Sequence, residues 1–270
     1  VESFASRLRS HAGSQPALTA GKQTLSYAEL TQLTTYAAMR LKALQQSSGG
    51  IDMLYLLANR GADLVVGMLS GLIAGIPTAI VDPRQGAARI EKILNLTCGR
   101  GIIASDALGN RLLQQLVTRH DIVPIAELQN PLADVSTERV EGKANPTAVI
   151  LFTSGSTGAP KGVRIAREDL EQRIAVELEW FSLAEGESTL GVLPLGFDVG
   201  LTQLLGCLWA GGHHVLLHSW LAKDIVKAID SHAPKVLAMS PMVWKGILDA
   251  ADQAATWEAV NRLRYVTMSG

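Results

Sequence analysis

LFTSGSTGAPKG, residues 151–162, follows directly on a short apolar run, TAVI. Gly155, Gly158 and Gly162 open backbone conformations closed to other residues and allow close approach to a ligand. Successive backbone N–H groups in such a loop form a concavity suited to an anion. Thr153, Ser154, Ser156 and Thr157 add hydroxyl donors, and Lys161 adds a cation. This chemistry favours a phosphate cradle, with a plain surface loop as the alternative. The two commonest cradles do not fit. A Walker loop needs Ser or Thr directly after its Lys to reach Mg2+, whereas Gly162 follows Lys161, and Pro160 forbids a helix running through the Lys. A dinucleotide GxGxxG does not match either.

On both sides of the loop, apolar strands alternate with amphipathic helices. Ser26 followed by Glu29 reads as a capping box opening a helix, with Leu30, Leu33, Ala37, Leu41 and Leu44 at helical spacing. The chain then gives a strand in IDMLYLLA, a helix over 62–74, a strand in PTAIVD, a helix in AARIEKILNLT and a strand in GIIAS. A helix over ALGNRLLQQLVT and an extended IVPIA follow. Residues 127–146 are polar, carry two prolines and read as a connector. Beyond the loop the pattern predicts helices over 167–180, 199–210, 222–231 and 241–254. Between and after them it predicts strands in STLGVLP, HHVLLH, KVLAM and LRYVTM. Such alternation implies an α/β fold of mainly parallel sheets flanked by helices.

The composition bounds the function. With 270 residues, 47% hydrophobic and 18% charged, the chain can bury a large core. A net charge of −1 argues against a broad nucleic-acid surface. Cys98 and Cys207, far apart and outside any CxxC spacing, indicate free thiols and a reducing, cytoplasmic setting. The uncharged stretch Leu64 to Val81 is about long enough to span a bilayer, but Gly67, Gly71, Gly75 and Pro77 favour a buried helix followed by a buried strand, and no membrane span is expected.

TSGSTGAPKG closely resembles the phosphate-loop motif of the AMP-forming adenylate synthetases: acyl-CoA synthetases, luciferases and the adenylation domains of nonribosomal peptide synthetases. The resemblance extends to LSYAELTQLTTYAAMRLKAL, ANRGADLVVGMLSGLIAGIPTAIVDP, LPLGFDVGLTQLLGCLWAGGHHVLL, VLAMSPMVWKGIL and LRYVTMSG, in the family's order. It implies that residues 1–270 are the N-terminal part of an adenylation domain, subdivided near 127–146, with the AMP and Mg2+ motif and the small lid domain lying beyond Gly270. It implies ATP and Mg2+ as cofactors, with Thr153, Ser154, Gly155, Ser156, Thr157 and Gly158 on the β- and γ-phosphates. Lys161 would supply catalytic positive charge. A carboxylic or amino acid would be activated as its adenylate, pyrophosphate would leave, and a carrier-protein phosphopantetheine or CoA would take the acyl group. An acyl-CoA synthetase for a fatty or other acid, or a non-catalytic nucleotide-binding module, is the alternative. The run VRIARED departs from relatives that carry a His shortly after the Lys-Gly.

The acid is addressed by LPLGFDVGLTQLLG. By resemblance to amino-acid activators, Asp198 would bind an α-ammonium, and Val199 and Thr202 would line the side-chain pocket. A carboxylate in an apolar segment has a physical reason to exist if it meets a cation; equally, Asp198 could cap the helix that follows. Gly200 stands where amino-acid activators often have Ser. His213 and His214 should point to opposite faces of a strand, and His218 sits about 13 Å from His214, so no metal site is expected. Trp180 and Trp244 are expected in the core, and Cys207 as a buried thiol.

Overall fold

The computed structural model describes residues 3–47, 52–96, 101–104, 121–129, 145–154, 159–253 and 256–268. The chain divides into two units. One comprises Val1–Leu30 with Glu171–Gly270, the other Thr31–Leu170.

The contiguous unit is built on a sheet of β3 (Met53–Leu56), β4 (Thr78–Ile80), β5 (Gly101–Ala104), β6 (Asp121–Val123), β7 (Thr147–Ser154) and β8 (Pro160–Ala166), in the order β6-β5-β3-β4-β7-β8. All neighbours are parallel except β7 and β8, which form an antiparallel pair. Strands β3 and β4 are buried at every position, as central strands covered on both faces must be. The uncharged stretch resolves into helix α3 (Ala62–Ala74) and strand β4. Gly71 lets α3 lie directly on the sheet, because a Cβ there would strike the Thr78 hydroxyl. Gly75 ends the helix at φ 71°, in the left-handed conformation that glycine adopts without strain. Among the described residues, no helix is long and apolar enough to cross a membrane. Helix α4 (Ala87–Asn95) packs Ile90, Ile93 and Leu94 against Met53, Tyr55, Leu57 and Ile150.

One expectation changes in this unit, and one strand is added. Ile125 and Ala126 open a short helix, α5 (Ile125–Gln129), instead of extending the strand. Pro124, with its fixed φ, precedes it, and the Pro124 carbonyl accepts from Glu127 and Leu128. PKGVRIA, to which the sequence pattern assigned no element, is the edge strand β8. The connector read at 127–146 falls inside this unit. Its residues 130–144, like the helix expected over ALGNRLLQQLVT, lie outside the described residues.

The discontinuous unit carries the second sheet, ordered β12-β11-β9-β10-β1-β2. Its strands are β1 (Pro16–Ala20), β2 (Gln23–Ser26), β9 (Ser188–Gly191), β10 (His213–Leu216), β11 (Val236–Met239) and β12 (Tyr265–Met268). Only the β1–β2 hairpin is antiparallel. Helices α8 (Ala222–His232), α9 (Pro241–Gln253) and α10 (Trp257–Val260) bury Ile225, Ile229, Ile247 and Val260 against Leu190, Val215 and Leu237.

The N-terminal segment belongs here through helix α7 (Asp198–Trp209). The last carbonyls of a helix have no partner within it. The Tyr27 hydroxyl donates to the Leu208 and Gly212 carbonyls at 3.2 and 2.7 Å. The Arg7 Nε–H donates to the Trp209 carbonyl at 2.9 Å, and His11 Nε2 donates to the same oxygen at 3.1 Å. Arg7 and His11 extend from helix α1 (Phe4–Ser10) and the turn after it. Tyr27 opens helix α2 (Tyr27–Ser47), where the capping box forms as expected: the Ser26 N–H donates to Glu29 Oε2 at 2.8 Å, and the Glu29 N–H to Ser26 Oγ at 3.2 Å. Tyr27 is fully buried, so Tyr27→Phe should leave a buried carbonyl short of a donor and destabilise the protein by about 1–3 kcal/mol. Chemical denaturation monitored by circular dichroism checks this.

Candidate active site

In the contiguous unit the site begins at the carboxyl end of β7. Parallel α/β sheets bind ligands at the carboxyl ends of their strands. β7 and β8 are zipped in register, Phe152 opposite Gly162, Thr153 opposite Lys161 and Ser154 opposite Pro160, so the loop at the hairpin tip is 155–159. Gly155, Ser156, Thr157 and Gly158 lie outside the described residues, as does the side chain of Ser154. Directly paired residues share a face of the hairpin, with Cβ atoms about 5 Å apart. The exposed Thr153 hydroxyl and Lys161 ammonium therefore stand together beside the loop, a donor and a cation suited to phosphate oxygens. Pro160 is tolerated because β8 is an edge strand. Gly162 has its own reason: a Cβ would come within 3.2 Å of the Phe152 ring and 3.3 Å of Ile150.

In the discontinuous unit, β9 leads through residues 192–197 into α7. Phe197 takes the cap position, with extended backbone and no side-chain cap, and Asp198 is the first helical residue. The Asp198 carboxylate is exposed, and a negative charge in the first turn suits the helix dipole. Val199 is half-buried. Gly200 is held to glycine by its surroundings, since a Cβ there would strike the Pro194 carbonyl oxygen; a Ser at this position would not fit the turn. Phe197, Trp220, Leu221, Met242 and Met268 follow or end β9, β10, β11 and β12 and are all exposed, Met242 by 84%. The carboxyl edge of this sheet thus presents the Asp198 carboxylate together with several exposed apolar side chains.

Thr202 lies one turn beyond Asp198 and is only 3% exposed. Its hydroxyl donates to Glu177 Oε1 at 2.6 Å, and Arg173 Nη2 lies 3.2 Å from the same oxygen. Glu177 belongs to helix α6 (Arg167–Phe181). The sequence reading missed it, although its position was informative: Leu170, Ile174 and Glu177 form the buried stripe of that helix, so a carboxylate occupies a core position. Burial pushes its carboxyl above the usual carboxylate range; hydrogen bonding from Thr202 and the Arg173 charge oppose this, and Asp198 reinforces it. Trp180, expected in the core, falls off the stripe. It is 60% exposed, with the Arg173 guanidinium 5.8 Å from its ring centre. Trp244 is partly buried against the core, as expected. His213 bonds Thr19 and the fully buried His214 bonds Thr189, so the adjacent rings do point apart. Cys207 is a buried free thiol whose pKa is pushed up to about 12 by burial.

The family described as AMP-binding enzyme matches residues 4–270. The chain belongs to that family. It is 29% identical over 261 residues to syringomycin synthase SyrB1 of Pseudomonas syringae pv. syringae, covering 92% of this chain and 40% of that protein. It is 27% identical over 262 residues to surfactin synthase subunit 2 of Bacillus subtilis (strain 168), covering 94% and 7%. O-succinylbenzoate Coenzyme A synthetase (MenE) from Bacillus subtilis, solved in complex with ATP and magnesium ion, superposes with a TM-score of 0.76 at 19% identity. That match covers 92% of this chain and 66% of that one. The chain therefore spans less than half the length of these two curated relatives.

The environment of Glu177 has a measurable consequence. A carboxyl held above its ordinary 4.5 binds its proton more tightly in the folded than in the unfolded state, so ionising it costs stability. The cost should be nil well below pH 4.5 and grow as pH rises through the folded value. Glu177→Gln, which cannot ionise, should lose less thermal stability than the wild type between pH 4 and pH 8. Parallel melting curves across that range would expose an identical pH dependence as the contrary result.

Proposed function

We propose that this chain is the acid-activating part of an AMP-forming ligase. A carboxylate oxygen attacks the α-phosphorus of ATP, the bond to the β-phosphate oxygen breaks, and its electron pair leaves with pyrophosphate. The product is an acyl-adenylate, a mixed anhydride that a thiol then opens, releasing AMP. The observation that carries this reading is the hairpin tip. A Gly-, Ser- and Thr-rich loop stands at the carboxyl end of β7, with Thr153 and Lys161 paired beside it, in a chain of the AMP-binding family.

Catalysis in this scheme is positioning and charge neutralisation. Thr153, Ser154, Gly155, Ser156, Thr157 and Gly158 hold the β- and γ-phosphates through hydroxyl and backbone N–H donors. Lys161 offsets the charge that builds on the departing pyrophosphate. Mg2+, present with ATP in the solved complex of the related synthetase, would add positive charge against the phosphates held by the loop and Lys161. Asp198 binds the α-ammonium of an amino acid, Val199 and Thr202 shape the side-chain pocket, and a carrier-protein phosphopantetheine or CoA accepts the acyl group, in a cytoplasmic setting. The exposure of Asp198 on a largely apolar edge supports the amino-acid reading.

ATP–pyrophosphate exchange by the intact protein tests both anchors. Exchange is expected with an α-amino acid. Lys161→Ala and Gly155→Val should each lower it by roughly 10- to 100-fold, and Asp198→Asn should raise the amino-acid KM by roughly tenfold or more. Normal exchange in both loop variants would remove the phosphate role. Exchange confined to acids without an amino group would point to the acyl-CoA synthetase class. Nucleotide binding without exchange for any acid would mark a non-catalytic module.

A further inference from the structure

Glu177 is 4% exposed in a helix stripe that is otherwise apolar. An apolar residue of similar size would serve stability at least as well, because a buried carboxylate has lost its hydration. Its surroundings are few. Arg173 faces it from one turn earlier on α6, and Thr202 donates to it from α7. Asp198 is the other charged group near it on α7, and the Cys207 thiol, kept neutral by burial, lines the same small cavity. Asp198 and Thr202 are four residues apart on one helix, so they lie on one side of it a turn apart. The hydrogen bond from Thr202 therefore ties Glu177 to the turn that presents Asp198.

We propose that Glu177 is a positioning residue for the acid pocket: it fixes Thr202 and, when ionised, offsets the Arg173 charge that otherwise disfavours an α-ammonium at Asp198. The inference rests on the amino-acid reading above. It has a signature that a packing role lacks. An ammonium arriving at Asp198 meets an unbalanced Arg173 charge when Glu177 is protonated and a neutral pair when Glu177 is ionised. The KM for an amino acid should therefore fall as pH rises through the range above 4.5 in which Glu177 loses its proton.

The test measures kcat and KM for amino-acid-dependent ATP–pyrophosphate exchange in the intact protein across pH. Glu177→Gln keeps the acceptor for Thr202 and removes the charge. It should raise KM roughly 3- to 10-fold with kcat nearly unchanged, abolish the pH-dependent fall in KM, and leave KM for the des-amino acid unaltered. Glu177→Asp should restore part of the affinity. If the Glu177 variants do not fold, Thr202→Val should raise KM and Thr202→Ser should restore it. Wild-type KM and pH profile in Glu177→Gln, with Asp198→Asn impaired, would overturn this inference and leave the ammonium reading standing. An Asp198→Asn variant with wild-type KM would overturn the ammonium reading, and this inference with it.

Discussion

A helix that ends inside a protein must find donors for its last carbonyls. For α7 some come from the turn that follows, through the N–H groups of Ala210, Gly211 and Gly212, and the rest from residues 1–30. Arg7, His11 and Tyr27 together satisfy the carbonyls of Leu208, Trp209 and Gly212, and β1 adds its backbone alongside β10. The first thirty residues are therefore structural parts of the unit that holds Asp198. They fix the carboxyl end of α7 while the Phe197 turn fixes its amino end, so the helix has little freedom to shift the carboxylate at its first turn.

Most of the fold is legible in the sequence because its principal signals are local. Apolar runs bounded by polar or glycine-rich turns gave the central parallel strands, and the Ser26–Glu29 pair marked a helix start that forms with both reciprocal hydrogen bonds. The strands that escaped notice owe their structure to pairing. β1 lies between β10, nearly two hundred residues away, and β2, which pairs with β1 alone. β8 exists because β7 offers it an edge, and its burial pattern is too exposed to announce a strand.

The two groups of candidate residues differ in the same way. Thr153, Ser154, Lys161 and the glycines are contiguous, and their spacing alone suggested a phosphate cradle. Asp198, Val199 and Thr202 could be picked out only by resemblance, and Glu177 not at all, since its significance depends on facing Thr202 across two helices. One clue was nevertheless present: a carboxylate at a helical position reserved for apolar side chains. Trp180 is the converse case, an apolar side chain one step off that stripe, which periodicity applied to α6 would have placed at the surface.

The division of the chain also sets an order of assembly. During synthesis residues 1–30 emerge before their partners in α7 and β10 exist, since Trp209 and β10 follow by about two hundred residues. The unit Thr31–Leu170 is uninterrupted and has all its strands in hand as soon as it leaves the ribosome. Domains tend to fold as units in the order they are made, so residues 1–30 dock only once α7 and β10 have followed the contiguous unit, closing a long loop as they do. Until then the outer edge of β10 lacks its partner β1, and the Trp209 carbonyl at the end of α7 lacks its donors from Arg7 and His11.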